Sequence, residues 1–364
     1  MNLTEREREV VALLRRDPLI GSAAIAEALG TTRAAVNVHL SNLGKKGVIL
    51  GRGYVLSEAP SVVVLGGANM DVKARSARTV VSGTSNPGAG SMAAGGVGRN
   101  IAENLARLGT RTHLVAAIGS DGLGDQVLAA TSAAGVHVDH VRRSARSTGT
   151  YTAVLDADGE LVVAVSDMAA TDELGPEQVN AARDLIAAAA LVVLDGNLAP
   201  AALGLALDLA ATAGARVVLE PVSVPKAAAL APLVTTAHPL HAITPNRDEL
   251  AALTDLPTRT ERQVERAVQA LHDRGVEIVW VRLGAAGSLL STPGGAQRMA
   301  AVVADVTDVT GAGDAMLAGF CHALLAGAEP DEAAAYGHAA AALTVASPHT
   351  VRPDLTDRLV RSLL

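Results

Sequence analysis

Asp308-Val309-Thr310-Gly311-Ala312-Gly313-Asp314 is the stretch on which the reading of this chain turns. A glycine-rich turn opens a helical segment, Ala315 to Leu325, and a carboxylate stands just past its last glycine. Free N–H groups at a helix start form an anion hole. Small residues let a phosphate approach that backbone closely. Asp314 at the same spot can accept a proton from a substrate hydroxyl. Anion hole plus base is the minimum set for phosphoryl transfer to an alcohol.

Four further motifs lie upstream, three of them at the end of an apolar run. Val281-Arg282-Leu283-Gly284-Ala285-Ala286-Gly287 is a strand ending in Gly-x-x-Gly, which suits backbone packing against nucleotide phosphates. In Thr244-Pro245-Asn246-Arg247-Asp248-Glu249 an Asn and a Glu stand three apart at a helix start. That spacing holds a hydrated Mg²⁺, directly or through water, and equally describes an ordinary N-terminal cap. Gly66-Gly67-Ala68-Asn69-Met70-Asp71 sets an amide beside a carboxylate at a strand's C-terminal end. Open α/β sheets bind ligands there, and the pair suits vicinal hydroxyls, although the same residues also make a turn. In Gly95-Gly96-Val97-Gly98-Arg99-Asn100 the glycines admit substrate to the backbone and the following helix fixes Asn100. Its spacing is not Gly-x-Gly-x-x-Gly and no Val/Ile strand precedes it, which excludes a dinucleotide loop.

Around these motifs, buried strands are expected at 62–65, 112–118, 190–194, 216–219, 242–244 and 278–283. Alanine-rich helices are expected at 101–108, 124–134, 201–213 and 261–274. The alternation predicts a parallel α/β sheet flanked by helices. Segments 72–92 and 148–166 are β-rich and turn-rich instead, with Asp156-Ala157-Asp158-Gly159 as a hairpin turn, and are expected to form a small lid.

The first 57 residues differ in kind. They carry eight Lys/Arg against five Asp/Glu, whereas the remainder carries 22 against 32. A small basic module joined to a larger acidic one implies different partners for each. Thr4 to Arg15 reads as a helix broken by Asp17-Pro18. Ser22 is expected to cap a second helix that ends at Gly30, and Thr31 or Thr32 to cap a third that closes at Gly47. Residues 48–50 and 54–56, joined by Gly51-Arg52-Gly53, read as strand, turn, strand. Helix, turn, helix and small wing resemble a winged helix-turn-helix domain over 1–57, followed by a linker at 58–60 and a second domain over 61–364. Arg33, Asn37, His39, Lys45 and Arg52 are its candidates for DNA contact. A dimerisation or regulatory appendage is the competing use of such a module.

Aromatic residues are only 1% of the 364, so the core is built from Ala, Val and Leu. No apolar run reaches transmembrane length, and Glu5-Arg6-Glu7-Arg8-Glu9 is no secretory signal. The single Cys321 permits no internal disulfide. A cytoplasmic location with no membrane partner is the expectation.

The Gly-Gly loop near residue 96, Asn-x-x-Glu and Asp-x-Thr-Gly-Ala-Gly-Asp together resemble the PfkB/ribokinase family of carbohydrate and nucleoside kinases over residues 61–364. Within it the likeness is greatest to the pseudouridine kinases, through residues 85–88, 95–105, 166–168, 220–223 and 309–316. The resemblance implies an α/β fold, a ribokinase-like parallel-sheet sandwich with a small β lid, and use of ATP, Mg²⁺ and K⁺. It implies Asp314 as base toward a sugar 5′-hydroxyl, with Gly311, Ala312 and Gly313 holding the phosphoryl charge. Asn69, Asp71, Gly96 and Asn100 would bind ribose, Asn246 and Glu249 would organise Mg²⁺, and Asp308 and Thr310 would hold the monovalent cation. Arg282, Gly284 and Gly287 would lie along the nucleotide. Val97 replaces the lysine common in the family's sugar kinases, and Asn197 lies where many have an acidic side chain. Both departures favour a nucleoside, pseudouridine, over free ribose, with Ser85, Asn86, Thr150 and Met168 of the lid as candidates to meet the base. Winged-helix pairing and lid–lid contact both point to a homodimer. The alternatives are a kinase for another nucleoside or sugar, or a regulator whose kinase-like domain senses a metabolite; the intact Asp314 argues against the second.

Overall fold

The computed structural model describes residues 3–50 and 60–364. Two compact units result, Met1–Ala59 and Pro60–Leu364.

In the first unit, helices Glu5–Arg16, Ser22–Ala28 and Arg33–Lys45 enclose a core of Val10, Leu14, Ile25, Val36 and Leu43. Thr4 opens the first helix through a reciprocal cap with Glu7. Gly21, rather than Ser22, precedes the second helix; the Ser22 hydroxyl accepts from Arg33 Nε at 3.1 Å. Thr32 caps the third, accepting from the Ala35 N–H. Residues 51–57 of the expected wing, Arg52 with them, and 58–59 of the expected linker lie outside the described residues.

Thirteen strands build the second unit. They are β1 (Ser61–Leu65), β2 (Asn69–Ser76), β3 (Gly88–Gly95), β4 (Arg111–Gly119), β5 (His137–Ser144), β6 (Thr150–Leu155), β7 (Leu161–Asp167), β8 (Leu191–Asp195), β9 (Arg216–Glu220), β10 (Leu240–Ile243), β11 (Val276–Arg282), β12 (Ser288–Thr292) and β13 (Gly295–Met299). Nine form one sheet in the order β13-β12-β11-β10-β9-β8-β1-β4-β5. From β5 to β11 all pairings are parallel, and β12 and β13 add an antiparallel edge.

The apolar runs are continuous because this sheet is buried on both faces. In β1, Val62 and Val64 enter one core with Ile101, Leu317 and Phe320. Val63 and Leu65 enter the other with Leu203, Leu250 and Val264. The lone Trp280 packs on the lone Phe320, ring centres 4.8 Å apart. From β1 the chain runs outward through β4 and β5, then returns to β8 and proceeds the other way. The carboxyl ends of β1 and β8 therefore flank a topological switch point, where such sheets open a crevice.

The lid is a separate four-stranded sheet, β3-β2-β6-β7. β2 pairs antiparallel with β3 and parallel with β6, and β6 pairs antiparallel with β7. Three residues, Gly66-Gly67-Ala68, separate β1 from β2, so the lid grows directly out of the crevice.

Candidate active site

The helix following the glycine-rich stretch begins at Ala312, three residues earlier than the sequence suggests, and runs to Leu325. Gly313 fits because a first-turn residue needs no intrahelical N–H bond. Gly311 precedes the helix at φ 80°, and a Cβ there would lie 2.0 Å from the Thr350 carbonyl oxygen, so only glycine fits. No side chain caps this end. The Ala312 N–H donates to Val309 O at 3.3 Å, while those of Gly311, Gly313 and Asp314 have no acceptor among the described residues. Of the expected Gly311–Gly313 hole, Gly311 and Gly313 keep open donors and Asp314 adds a third, at the positive end of the helix dipole.

Asp314 is half-buried in the first turn and accepts from Asn100 Nδ2 at 2.8 Å through Oδ2. Burial, with help from Glu220 and Asp195, pushes its carboxyl up to about 8 against the opposing Asn100 bond and Arg282 charge. The Asn100 amide is itself oriented: its Oδ1 accepts from Arg99 Nη1 at 3.1 Å, which turns Nδ2 toward Asp314. Arg99 is buried, bonded to Ala94 O, Thr131 Oγ1 and Glu103. This relay explains the Arg-Asn pair after the Gly-Gly loop. Gly96 has φ 99°, and a Cβ there would lie 2.4 Å from Gly67 O, so the loop presses on the end of β1.

Along β2, Asn69, Asp71 and Lys73 alternate onto one face. Asn69 Nδ2 donates to Asp71 Oδ1 at 2.7 Å, and burial raises the Asp71 carboxyl despite that bond. Opposite, β8 ends in the fully buried Asp195, which accepts from the Gly67 and Asn197 N–H groups at 2.9 and 2.8 Å. Lys226 Nζ donates to Asn197 Oδ1. The segment Glu220-Pro221-Val222 between them holds Val222 at φ 71°, a strained value for a β-branched residue.

Arg282, at the end of β11, donates to Glu220 Oε1 at 2.6 Å and to Glu249 Oε2 at 3.2 Å. A Cβ on Gly313 would lie 2.6 Å from Arg282 Nη1, so the guanidinium adjoins the open helix end. Asn246 and Glu249 form a complete capping box: Asn246 Oδ1 accepts from Asp248 and Glu249 N–H, and Glu249 Oε2 accepts from Asn246 N–H. With Oε2 already accepting two bonds, this pair suits a hydrated ion through water rather than direct coordination. No group of three or more His, Cys, Asp or Glu gathers as a metal cluster among the described residues. Gly284 and Gly287 bound the turn between β11 and β12.

Residues 59–357 match the pfkB family carbohydrate kinase, and residues 3–49 match a winged helix-turn-helix DNA-binding family. The chain belongs to the pfkB family of carbohydrate kinases. Over 356 residues it is 36% identical to the uncharacterized sugar kinase YeiI of Escherichia coli, covering 97% of each. Pseudouridine kinase of the same organism is 32% identical over 311 residues, 85% of this chain and 98% of that one. The solved structure of Arabidopsis thaliana ribokinase with ribose and ATP superposes with a TM-score of 0.73 at 28% identity, over 84% of this chain and 99% of that one. This pfkB-family chain is accordingly a sugar or nucleoside kinase with a ribokinase-like fold, a phosphotransferase acting on a hydroxyl.

The other sequence candidates are distributed as follows. Thr150 begins β6 opposite Met70, and Met168 follows β7 beside Gly149 and Asn69. Ser85 and Asn86 are exposed in the β2–β3 loop, and the Asn86 amide is spent inside it, on Val81 N–H and on the Val81 and Thr84 carbonyls. In the first unit Arg33, Asn37 and Lys45 are exposed and His39 is half-buried. Lys73, Asp195 and Lys226 lie outside every motif of the sequence, and Glu220 lies in the 220–223 stretch without a site role assigned there. Asp195 and Glu220 each end an apolar strand at its carboxyl end, a signal that would have found them. No helix among the described residues is long and apolar enough to cross a membrane.

Proposed function

We propose that the chain transfers the γ-phosphoryl group of ATP to the 5′-hydroxyl of pseudouridine, giving pseudouridine 5′-phosphate and ADP. The observation carrying the reading is the bond between Asp314 and Asn100, 2.8 Å long, beside an uncapped helix start. Asn100 holds Oδ2, leaving Oδ1 to take the hydroxyl proton as the oxygen attacks phosphorus. The N–H groups of Gly313 and Asp314, with Arg282 alongside, stabilise charge on the transferring group while ADP departs. A carboxyl lifted to about 8 accepts that proton readily and still ionises near neutral pH. Asn69, Asp71 and Gly96 bind ribose, and Gly284 and Gly287 flank the nucleotide. Asn246 and Glu249 would hold a hydrated Mg²⁺, which would supply charge neutralisation on the phosphates.

Two observations support a nucleoside over a free sugar. Asn197 and Lys226 set an amide and an ammonium where an acidic side chain would otherwise hold sugar hydroxyls. Identity to a pseudouridine kinase extends over 85% of the chain. Thr150, opposite Met70, and Met168, beside Gly149 and Asn69, are the lid residues that meet the base in this reading. An ADP-release assay over pseudouridine, uridine, adenosine, cytidine and ribose tests the reading. Pseudouridine is expected to give the highest kcat/KM, and preference for ribose contradicts it.

The helix-turn-helix unit carries a second activity, DNA binding, supported by its family match and by the exposed Arg33, Asn37 and Lys45. Salt-sensitive retardation of the gene's own upstream DNA, altered by nucleoside, is the expected result; its absence leaves the unit as an assembly device. Leu161, Val163 and Val165 of β7 are exposed apolar residues that a second copy covers in a lid-to-lid homodimer. Sedimentation of Val165→Lys as a monomer checks this.

A further inference from the structure

A lysine of the lid lies on the loop that leads into the anion hole. Lys73 Nζ donates to Asp308 Oδ2 at 2.8 Å and reaches Thr310 Oγ1 at 3.4 Å. The other carboxylate oxygen, Oδ1, accepts from the N–H and Oγ1 of Thr310 at 2.8 and 2.7 Å. Burial opposes ionisation of Asp308, but the bonds from Lys73 and Thr310 win and hold its carboxyl below the usual carboxylate range. On the other side of the loop, the N–H groups of Thr307 and Asp308 both donate to Val345 O. The loop is thus held from both sides, by backbone below and by an ammonium above.

Asp308 and Thr310 are the residues from which the family resemblance implies a bound K⁺. That expectation meets a physical obstacle. Both oxygens of the carboxylate are engaged, and one already faces a full positive charge. A second cation gains no unpaired anion and meets like-charge repulsion from Lys73. The lysine arrives by strand geometry: Lys73 is two residues beyond Asp71 on the same face of β2, opposite the small Ser91 and Ala153.

We propose that Lys73 is the resident cation of this loop, a tethered ammonium standing in place of an alkali-metal ion, so that phosphoryl transfer by this chain needs no K⁺. The inference rests on the kinase reading. It makes Lys73 a positioning residue, acting on the anion hole through Asp308, and it ties the loop's charge balance to the strand that carries Asn69 and Asp71.

The test compares wild type with Lys73→Met in potassium chloride and in choline chloride at equal ionic strength, by ADP release and by thermal melting without nucleotide. Wild type is expected to show equal rates and equal melting temperatures in the two salts. Lys73→Met is expected to lose about tenfold in rate in choline, to recover it in K⁺, and to gain a K⁺-dependent rise in melting temperature. Lys73→Gln repeats the comparison if the Met variant does not fold, and Lys73→Arg, which keeps the charge, stays indifferent to K⁺. Strong K⁺ stimulation of wild type overturns the proposal, as does a charge-removing variant indifferent to K⁺ in both readouts. A wild type that releases no ADP with any acceptor removes the kinase reading instead, and the melting series still decides the role of Lys73.

Discussion

The phosphoryl-transfer end of the crevice and the lid above it are built by opposite means. At the transfer end the working side chains are held by buried partners: Glu103 and Asn100 by Arg99, Asp314 by Asn100, and Arg282 between Glu220 and Glu249. In the lid, the outer strands β3 and β7 are mainly exposed, the Asn86 amide serves its own loop, and Arg75 bonds the Ala157 carbonyl of the β6–β7 turn. The first arrangement fixes atoms to the precision that a proton transfer needs. The second lets a surface vary without disturbing the chemistry. Apart from Lys73, which reaches from β2 to Asp308, catalysis and specificity therefore belong to different parts of the molecule, and variants in each should fail in different ways.

The largest effect is expected at Asp314. Asp314→Asn folds normally by circular dichroism but loses on the order of 10²–10⁴ in kcat. It also separates function from stability. With a folded-state carboxyl at about 8 and an unfolded one near the ordinary value, the folded wild type holds an extra proton between the two. Its stability therefore falls as pH rises through that window toward 8. Asp314→Asn lacks this dependence and should melt above wild type in alkaline buffer.

Next comes Asn100→Ala, which removes the bond that favours the ionised base. A loss of about tenfold or more in kcat/KM is expected, with the pH–rate profile moved to higher pH. An unmoved profile means that Asn100 only shapes the pocket. Gly96→Ala tests the loop pressed on β1. The positive φ and the 2.4 Å approach to Gly67 O predict a loss of about 1–3 kcal/mol in denaturant stability. Smallest is Met168→Ala in the lid, beside Gly149 and Asn69: KM for the nucleoside rises a few-fold with kcat retained. Were this lid variant to lose kcat as severely as Asp314→Asn, the division between the two regions would fail.

Much of the fold was legible because a sheet buried on both faces writes itself as apolar runs such as Val62-Val63-Val64-Leu65. Strands with one wet face left weaker marks. β5 carries His137, Asp139, His140, Arg142 and Arg143, and the β12–β13 edge hairpin is half polar, so neither was anticipated. At the site, the residues legible in sequence were those inside short glycine-rich motifs. Lys73, Asp195, Glu220 and Lys226 act through partners 235, 128, 62 and 29 residues away; no local pattern encodes such pairings, although ending an apolar strand marks Asp195 and Glu220 themselves as candidates. The helix start was misplaced at Ala315 because Gly-Ala-Gly reads as turn, although a first turn tolerates glycine well.

The central claim is that Asp314 removes the proton from the acceptor hydroxyl, and the pH dependence of kcat/KM tests it most directly. Wild type should rise with pH through about 8 and level off above it, while the residual rate of Asp314→Asn should be flat over the same range. A wild-type profile already flat from pH 6 upward, or a full-rate Asp314→Asn enzyme, would contradict the account.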